Sequence, residues 1–279
     1  MAEITAAAVG KLREMTSAGL MDCKKALTES AGDLDKAVEI LRKKGVASAA
    51  KKGSRDANEG LIAQSLQADS RAGILVEINC ETDFVARNEG FRTFADEIAR
   101  VLLANPATDV EPLRVAQVAK IGENIRIARS HRIAISGHGM VAAYIHTGAK
   151  VGVLVEVGAG KEATAGSETF QQLVRDITLQ IAAGNPFCVS REQVNPELIA
   201  KEKEIAMEQV KGKPAPAIAK IVEGKLEKFY QGYCLVDQGF VKQNEITVKE
   251  HVAAVGKALG DEIVIRSFVR FQVGESPAA

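Results

Sequence analysis

The chain has 279 residues, and its 36 basic side chains balance 36 acidic ones, so its formal net charge is zero. A neutral surface has no general attraction for nucleic acid or anionic membranes, and an aromatic content of only 4% disfavours base stacking. No apolar run approaches the ~18 residues of a membrane span, and the N-terminus lacks a signal-peptide pattern. Four scattered cysteines without a C-x-x-C pair indicate reduced thiols. We therefore expect a soluble, cytoplasmic protein.

The first 45 residues predict three short helices. Thr5 is a candidate cap for the first helix and Asp22 for the second, and the third has apolar residues at i, i+3, i+4 and i+7. Gly45 follows the last predicted turn of the third helix, at the position where helices commonly end with a residue in the left-handed conformation. The charged stretch 46–58 has no apolar period, which predicts a linker; an exposed tail of the third helix is the alternative. We therefore expect a three-helix domain at 1–45. Its inward positions are Val9, Leu12, Cys23, Ala26 and Leu27.

The rest of the chain is built twice. Residues 60–104 align without a gap on 139–183 at an offset of 79, and 122–127 align on 260–265 at an offset of 138. Each copy has the pattern strand, turn, strand, helix, and a further strand closes it. Each should form a small antiparallel sheet backed by helices, which makes the fold class α+β.

The second copy contains 59 additional residues between its helix and its final strand. Apolar residues recur there with helical spacing, and the charges between them alternate in sign. This pattern is typical of an antiparallel, coiled-coil-like helical hairpin, placed at about residues 193–230 with its turn near Gly212-Lys213-Pro214. The boundaries that follow are 59–136 for the first core subdomain and 137–279 for the second.

Motifs that carry catalysis are missing from the sequence. The four histidines lack the spacing of a zinc site. The segment 137–142 imitates a dinucleotide-binding glycine motif, but it enters a strand instead of leaving one for a helix. No phosphate-binding loop or nucleophile elbow occurs. An enzyme whose active site is assembled in a cleft between the two copies stays an alternative. We expect a protein that is not an enzyme and needs neither cofactor nor metal.

The strongest functional signal is the five-residue segment Glu81-Thr82-Asp83-Phe84-Val85. The first copy has it, whereas the second copy has Gly160-Lys161-Glu162-Ala163-Thr164 at the same place. In one interpretation Thr82 or Asp83 caps a helix and Phe84 belongs to the core. In the other, Phe84 is an exposed wedge beside a carboxylate at a loop tip. A cap essential to the fold should occur in both copies, which favours the wedge.

Other segments are candidate contact surfaces. Leu20 and Met21 lie between two helices, where they either staple the helix ends or form an exposed apolar patch. The turn Ile121-Gly122-Glu123-Asn124 recurs as a glycine-acid pair in the second copy, so we interpret it as architectural, with an additional contact role for its side chains. His146 is a lone polar residue near a strand end, where a plain surface histidine is the simpler interpretation.

Together these segments resemble the elongation factor Ts family. The resemblance covers nearly the whole chain in order, and the segments that carry it are 21–27, 82–85, 120–125, 152–156 and 269–271. It implies a cytoplasmic guanine-nucleotide exchange factor for elongation factor Tu, in the long form with a head similar to a ubiquitin-associated domain. Two features depart from the family pattern: the chain stops soon after Phe271, and region 106–118 is short. Both concern the extent of the C-terminal contact with the partner.

The resemblance also implies roles for single residues. Phe84 would enter between helices of the partner's G domain near its Mg²⁺ site, with Asp83 orienting it, and would thereby dislodge the Mg²⁺. Leu20 and Met21 would dock the head on the G domain, and His146 would contact a second domain. Nucleotide and Mg²⁺ are bound by the partner, and no contact with nucleic acid or membrane is implied. The alternative function is an interaction adaptor that acts mainly through its three-helix head.

Overall fold

A computed structural model describes most of the chain, namely residues 4–16, 18–210 and 214–275. The predicted hairpin turn at Gly212 and Lys213 and the closing residues 276–279 lie outside the described residues, as does Ser17. The chain divides into two compact units. Among the described residues, the first unit comprises those between 4 and 63, 76–130 and 273–275, and the second comprises those in 64–75 and between 131 and 272.

The chain begins with three helices, α1 (Ala6–Thr16), α2 (Leu20–Glu29) and α3 (Leu34–Lys52). Thr5 caps α1 as predicted, since its Oγ1 accepts a hydrogen bond from the backbone N–H of Ala8 at 3.2 Å. Asp22 does not cap α2, because Gly19 is the N-cap and Asp22 lies in the first turn, where the helix dipole favours a negative charge. The predicted inward positions are confirmed by a buried cluster of Val9, Leu12, Cys23, Ala26, Leu27 and Ala37.

The first copy of the repeat contains a three-stranded sheet. Its strands are β1 (Glu59–Leu66), β2 (Ala72–Cys80) and β3 (Ile125–Ala134), in the order β1-β2-β3. Between β2 and β3 lie α4 (Asp83–Arg87), α5 (Glu89–Ala104) and α6 (Glu111–Ile121). Helix α5 ends at its C-cap Asn105, as predicted, because Pro106 disfavours a further helical residue.

The second copy repeats this arrangement and adds the insertion. Strands β4 (His138–Ile145) and β5 (Val151–Ala159) are followed by α7 (Glu162–Ala165) and α8 (Glu168–Gly184). The insertion then contributes α9 (Pro196–Glu208), α10 (Ala215–Tyr233), β6 (Gly239–Phe240) and β7 (Gln243–Thr247). Helix α11 (Val248–Leu259) and strand β8 (Ile263–Gln272) close the copy. The sheet order is β4-β5-β8, with β5 antiparallel to both neighbours.

The duplication is confirmed in the secondary structure. Strand β4 begins and ends 79 positions after β1, and β5 lies 79 positions after β2. Strand β8 begins and ends 138 positions after β3. Both copies thus contain the same three strands and the helices between them, and the α+β class is confirmed.

Both middle strands contain a buried glutamate at the equivalent position. Glu77 is 3% exposed and its carboxylate lies 2.7 Å from Nε of Arg129 on β3. Glu156 is 8% exposed and lies 3.1 Å from Nη1 of Arg266 on β8. Removing one member of such a pair leaves a buried charge uncompensated, at a cost of ~3–5 kcal/mol. These pairs therefore tie the third strand of each copy to the middle strand.

Helix α3 continues through most of the segment predicted as a linker. Gly45 lies inside the helix and is buried, and a Cβ added there would lie 3.6 Å from Val115 and 3.7 Å from Ala119 of α6. The predicted helix end at Gly45 and the linker at 46–58 are therefore wrong, and only residues 53–58 connect α3 to β1. Alanine and lysine after Gly45 favour helix, and packing on α6 outweighs the ~1 kcal/mol cost of a helical glycine.

The insertion forms the two predicted helices, and α9 packs against α10. Helix α10 extends to Tyr233, beyond the predicted boundary at 230. The short pair β6 and β7 that follows was not predicted. Its strands of two and five residues are too short for a period of two to be recognised in the sequence.

His251 on α11 predicts a pH dependence of the second unit. Its ring stacks on Phe240 with centroids 4.1 Å apart. Burial lowers the pKa of His251, with Asp176 opposing the shift and Lys242 adding to it. Because the pKa is lower in the folded than in the unfolded state, this contribution to stability is complete above the ordinary value of 6.5 and is lost as the pH falls below it.

We therefore expect the unfolding free energy of His251→Gln to fall less than that of the unchanged protein between about pH 7.5 and pH 5.5. Because His251 is only partly buried, solvent screening should keep this difference below about 1 kcal/mol. Urea denaturation of both proteins at the two pH values measures it. The same pH dependence in both would contradict this assignment.

Candidate partner-binding site

Helix α4 carries the segment that distinguishes the first copy. Thr82 is its N-cap, and the Thr82 Oγ1 accepts a hydrogen bond from the backbone N–H of Val85 at 3.4 Å. Ala86 is buried on the inner side of the helix, whereas the Phe84 side chain is 81% exposed. Thr82 is thus a helix cap, as the first interpretation of this segment predicted. Phe84, however, is outside the core and points into solvent, as the wedge interpretation predicted.

The turn that follows α6 holds this tip segment (residues 81–85) in place. The Glu123 Oε2 accepts hydrogen bonds from the backbone N–H groups of Glu81 at 3.0 Å and Thr82 at 3.1 Å. The Glu123 Oε1 accepts a third from the Thr82 hydroxyl at 2.7 Å. One carboxylate therefore fixes the backbone and the cap from which Phe84 projects.

A second set of hydrogen bonds ties the tip to the segment after α3. The backbone N–H of Asn124 donates to Glu81 Oε1 at 2.5 Å, and the Arg55 guanidinium lies 3.4 Å from the same oxygen. The Asn124 side chain donates to the Arg55 carbonyl at 2.7 Å. Glu81 belongs to the distinctive segment recognised in the sequence, whereas the contact of Arg55 with it was not predicted. Arg55 lies in a charged stretch that carries no motif, so no local signal in the sequence identifies it.

Asp83 is engaged by a neighbour on its own helix. Its carboxylate lies 3.0 Å from the Arg87 guanidinium, one turn further along, and both side chains are substantially exposed. Exposed pairs of this kind contribute only ~0.3–0.5 kcal/mol. A partner that offers Asp83 a better hydrogen bond can therefore displace Arg87 at little cost.

Gly122 ends α6 in the left-handed region with φ +88°, and Gly260 ends α11 with φ +60°. A side chain at either position would be strained. The predicted architectural role of this turn is thus confirmed in both copies. In the first copy Ile121 beside it is half-buried.

The second copy keeps the clamp and lacks the wedge. The Asp261 Oδ2 accepts a hydrogen bond from the backbone N–H of Lys161 at 2.9 Å, as Glu123 does from Thr82. A hydrogen bond from the Thr164 side chain is the main reason why the pKa of Asp261 lies below its ordinary value. The carboxylate clamp is therefore a property of the repeat, whereas the aromatic side chain is specific to the first copy.

Leu20 and Met21 form an exposed apolar patch on the head. They begin α2 and are 55% and 61% exposed. Side chains that staple helix ends would be largely buried. The patch interpretation of the two predicted alternatives therefore agrees with the structure.

His146 lies just after β4 in the second unit and is exposed. The Tyr144 hydroxyl is 3.0 Å from its Nδ1, and the His146 backbone N–H donates to the Val151 carbonyl at 2.9 Å. The backbone bond closes the β4–β5 turn, and the tyrosine orients the ring. Tyr144, which the sequence analysis did not single out, is thus a positioning neighbour of His146.

Among the residues that the structure describes, no group of three or more side chains is arranged to hold a metal ion. None of the described helices combines the length and apolar character that crossing a membrane requires.

Comparison with known proteins identifies the class. A family model described as Elongation factor TS matches residues 81–275, from the tip segment to the end of the described chain. An Elongation factor Ts of Nitratidesulfovibrio vulgaris is 42% identical over 280 residues, covering 99% of this chain and 98% of the relative. An Elongation factor Ts of Chloroherpeton thalassium is 44% identical over 294 residues, which cover 99% of this chain and 100% of the relative. An Elongation factor Ts of Clostridioides difficile is 44% identical over 291 residues, which cover 99% of this chain and 94% of the relative.

Together with the fold, these similarities define a translation elongation factor, a protein of protein biosynthesis. The chain belongs to the elongation factor Ts family. The resemblance noted in the sequence is thereby confirmed.

Proposed function

We propose that this chain binds elongation factor Tu in its GDP form and accelerates the release of GDP, so that GTP can bind. The observation that carries the proposal is the Phe84 side chain, which is 81% exposed on a short helix that Glu123 clamps. Family membership supports the identity of the partner. The chain acts as a nucleotide exchange factor in the cytoplasm, and nucleotide and Mg²⁺ are held by the partner alone.

The physical requirement is a preference for the nucleotide-free partner. Nanomolar binding of GDP to the partner corresponds to a binding free energy of ~12 kcal/mol. An exchange factor therefore releases GDP only if it binds the nucleotide-free partner more tightly than the GDP-bound partner. Linkage makes the effect reciprocal, because the factor weakens GDP binding by the same ratio by which GDP weakens the factor. A rigid wedge suits this task, since it stabilises only a partner conformation with an opened gap.

Phe84 enters between helices of the G domain on the Mg²⁺ side, where burying its ring contributes ~2–3 kcal/mol. Asp83 exchanges Arg87 for a donor on the partner and so orients the wedge. Val85 and Thr82 lie at the base of the wedge. The displaced helices of the G domain then bind Mg²⁺ and the GDP phosphates more weakly. The turn at residues 121–124 faces the partner beside the tip, and its Glu123 keeps the wedge in place.

Two further surfaces anchor the complex. Leu20 and Met21 dock the three-helix head, which resembles a ubiquitin-associated domain, on the G domain. His146 contacts a second domain of the partner. Anchors on separate modules supply binding energy that offsets the opening of the nucleotide site. The helical hairpin belongs to the core subdomain that begins at residue 137.

Stopped-flow measurement of labelled GDP leaving purified elongation factor Tu tests this function. We expect the release rate to rise with the concentration of this chain and to saturate, and excess Mg²⁺ to reduce the acceleration. A release rate that does not change with added protein would overturn the proposal.

The exposed patch on the head favours one alternative, an interaction adaptor. We expect Leu20→Ala combined with Met21→Ala to weaken binding to elongation factor Tu about tenfold. The reason is that the two truncations remove part of the apolar surface that the complex would bury. The release rate at saturating concentration should stay close to that of the unchanged protein. An adaptor would instead lose its activity with this double variant and be unaffected by Phe84→Ala. Titration of the release rate against protein concentration separates the two outcomes.

A further inference from the structure

Two cysteine thiols face each other at the base of the inserted hairpin. Cys188 precedes α9 and Cys234 follows α10, so the pair encloses both hairpin helices. The two residues form an isolated parallel bridge, and the backbone N–H of Leu235 donates to the Cys188 carbonyl at 2.9 Å. Their Sγ atoms are 3.7 Å apart.

This geometry permits a disulfide without rebuilding the backbone. Adjacent extended segments lie ~4.8 Å apart, within the Cα separation of ~4.4–6.8 Å that disulfides span. Only a small rotation of the side chains is needed to bring sulfurs at 3.7 Å into bonding distance.

The two thiols differ in access. Cys188 is half-buried, whereas Cys234 is buried. Burial raises the pKa of both thiols, that of Cys234 to about 12, and the nearby Asp237 adds to the shift. Both thiols are therefore protonated near neutral pH, and their reaction should accelerate as the pH rises.

We propose that Cys188 and Cys234 form a dithiol modification site, which a hydroperoxide converts into a disulfide that closes the base of the hairpin. The Cys188 thiolate attacks the peroxide, the O–O bond breaks, and a sulfenic acid and one water form. The Cys234 sulfur then attacks the Cys188 sulfur, the S–O bond breaks, and the leaving hydroxide takes a proton to give a second water. In total one peroxide is reduced and the two thiols lose two hydrogen atoms.

Hydrogen peroxide treatment of the full chain tests the proposal. After thiols are blocked with an alkylating reagent, peptide mass spectrometry should find Cys188 joined to Cys234, with Cys23 and Cys80 alkylated once the protein is unfolded. The buried Cys23 and Cys80 serve as internal controls. The reaction should accelerate roughly tenfold per pH unit below the thiol pKa values, and a dithiol reductant should reverse it.

The disulfide closes a loop that contains the hairpin, so the oxidised protein should melt at least ~3 °C higher than the reduced protein. Cys188→Ser and Cys234→Ser should each abolish this rise. Peroxide treatment of the unchanged protein remains decisive if either variant folds poorly. A stable sulfinic acid on Cys188, a bond to Cys23 or Cys80, or a disulfide formed only between two molecules would overturn the proposal.

Discussion

Phe84→Ala is expected to slow the stimulated release of GDP from elongation factor Tu by about 30- to 140-fold, since burial of the ring contributes ~2–3 kcal/mol and each 1.4 kcal/mol is a factor of ten. The ring is 81% exposed in the free protein. Its loss should therefore change the unfolding free energy by less than ~0.5 kcal/mol. Stopped-flow release measures the first effect, and urea denaturation measures the second.

The chain offers a matched control in Phe187. This ring is 62% exposed and stacks on Tyr233 with centroids 4.6 Å apart, in the second unit. Phe187→Ala removes the same side chain from a different surface and should leave the release rate within about twofold of the unchanged protein. Equal slowing by both variants would contradict a specific role for Phe84.

Glu123→Ala is expected to lower both stability and exchange. It removes the acceptor of the two backbone N–H groups and the Thr82 hydroxyl that hold the tip. Unpaired donors that are partly shielded from water cost ~1–3 kcal/mol. The wedge then loses its fixed position, and misplacement of a positioned group should slow GDP release about tenfold. Urea denaturation and stopped-flow release measure the two effects.

Asp261→Ala in the second copy is the control for this result. Asp261 makes the equivalent bond to the Lys161 backbone, but Ala163 stands where the first copy has Phe84. We expect this variant also to be less stable, while its release rate stays near that of the unchanged protein. If it slows release as much as Glu123→Ala, exchange depends on overall stability and not on the clamped tip.

The sequence was most informative where the chain repeats itself. The offset of 79 positions located β1 and β2 relative to β4 and β5, and the ends of α5, α6, α8 and α11 followed from Asn-Pro and glycine signals. Repetition works as an internal comparison, because both copies must satisfy the same packing and turn geometry. That is also why the Glu123 turn could be recognised as architectural, and why Phe84 was noticed as an addition to one copy.

Other features depend on contacts between distant parts of the chain. Gly45 looks like a helix end until α6 is known to pack against it, since the long-range packing overrides the local preference. The Arg55 contact with Glu81 and the approach of Cys188 to Cys234 join residues 26 and 46 positions apart. No local period or motif encodes such proximity. For the candidate site, the sequence singled out the segment 81–85 and the turn at 121–124, but only the structure established the exposure of Phe84 and the bonds that clamp its segment.

A photoreactive side chain in place of Phe84 would report where the tip lies in the complex. Phe84→p-benzoylphenylalanine keeps an aromatic ring at the tip, and irradiation of its complex with elongation factor Tu marks whatever the ring touches. If Phe84 enters the G domain, we expect crosslinks to its helices on the Mg²⁺ side, and free GDP in excess should diminish them. Crosslinks confined to this chain itself, or to a different domain of the partner, would contradict it.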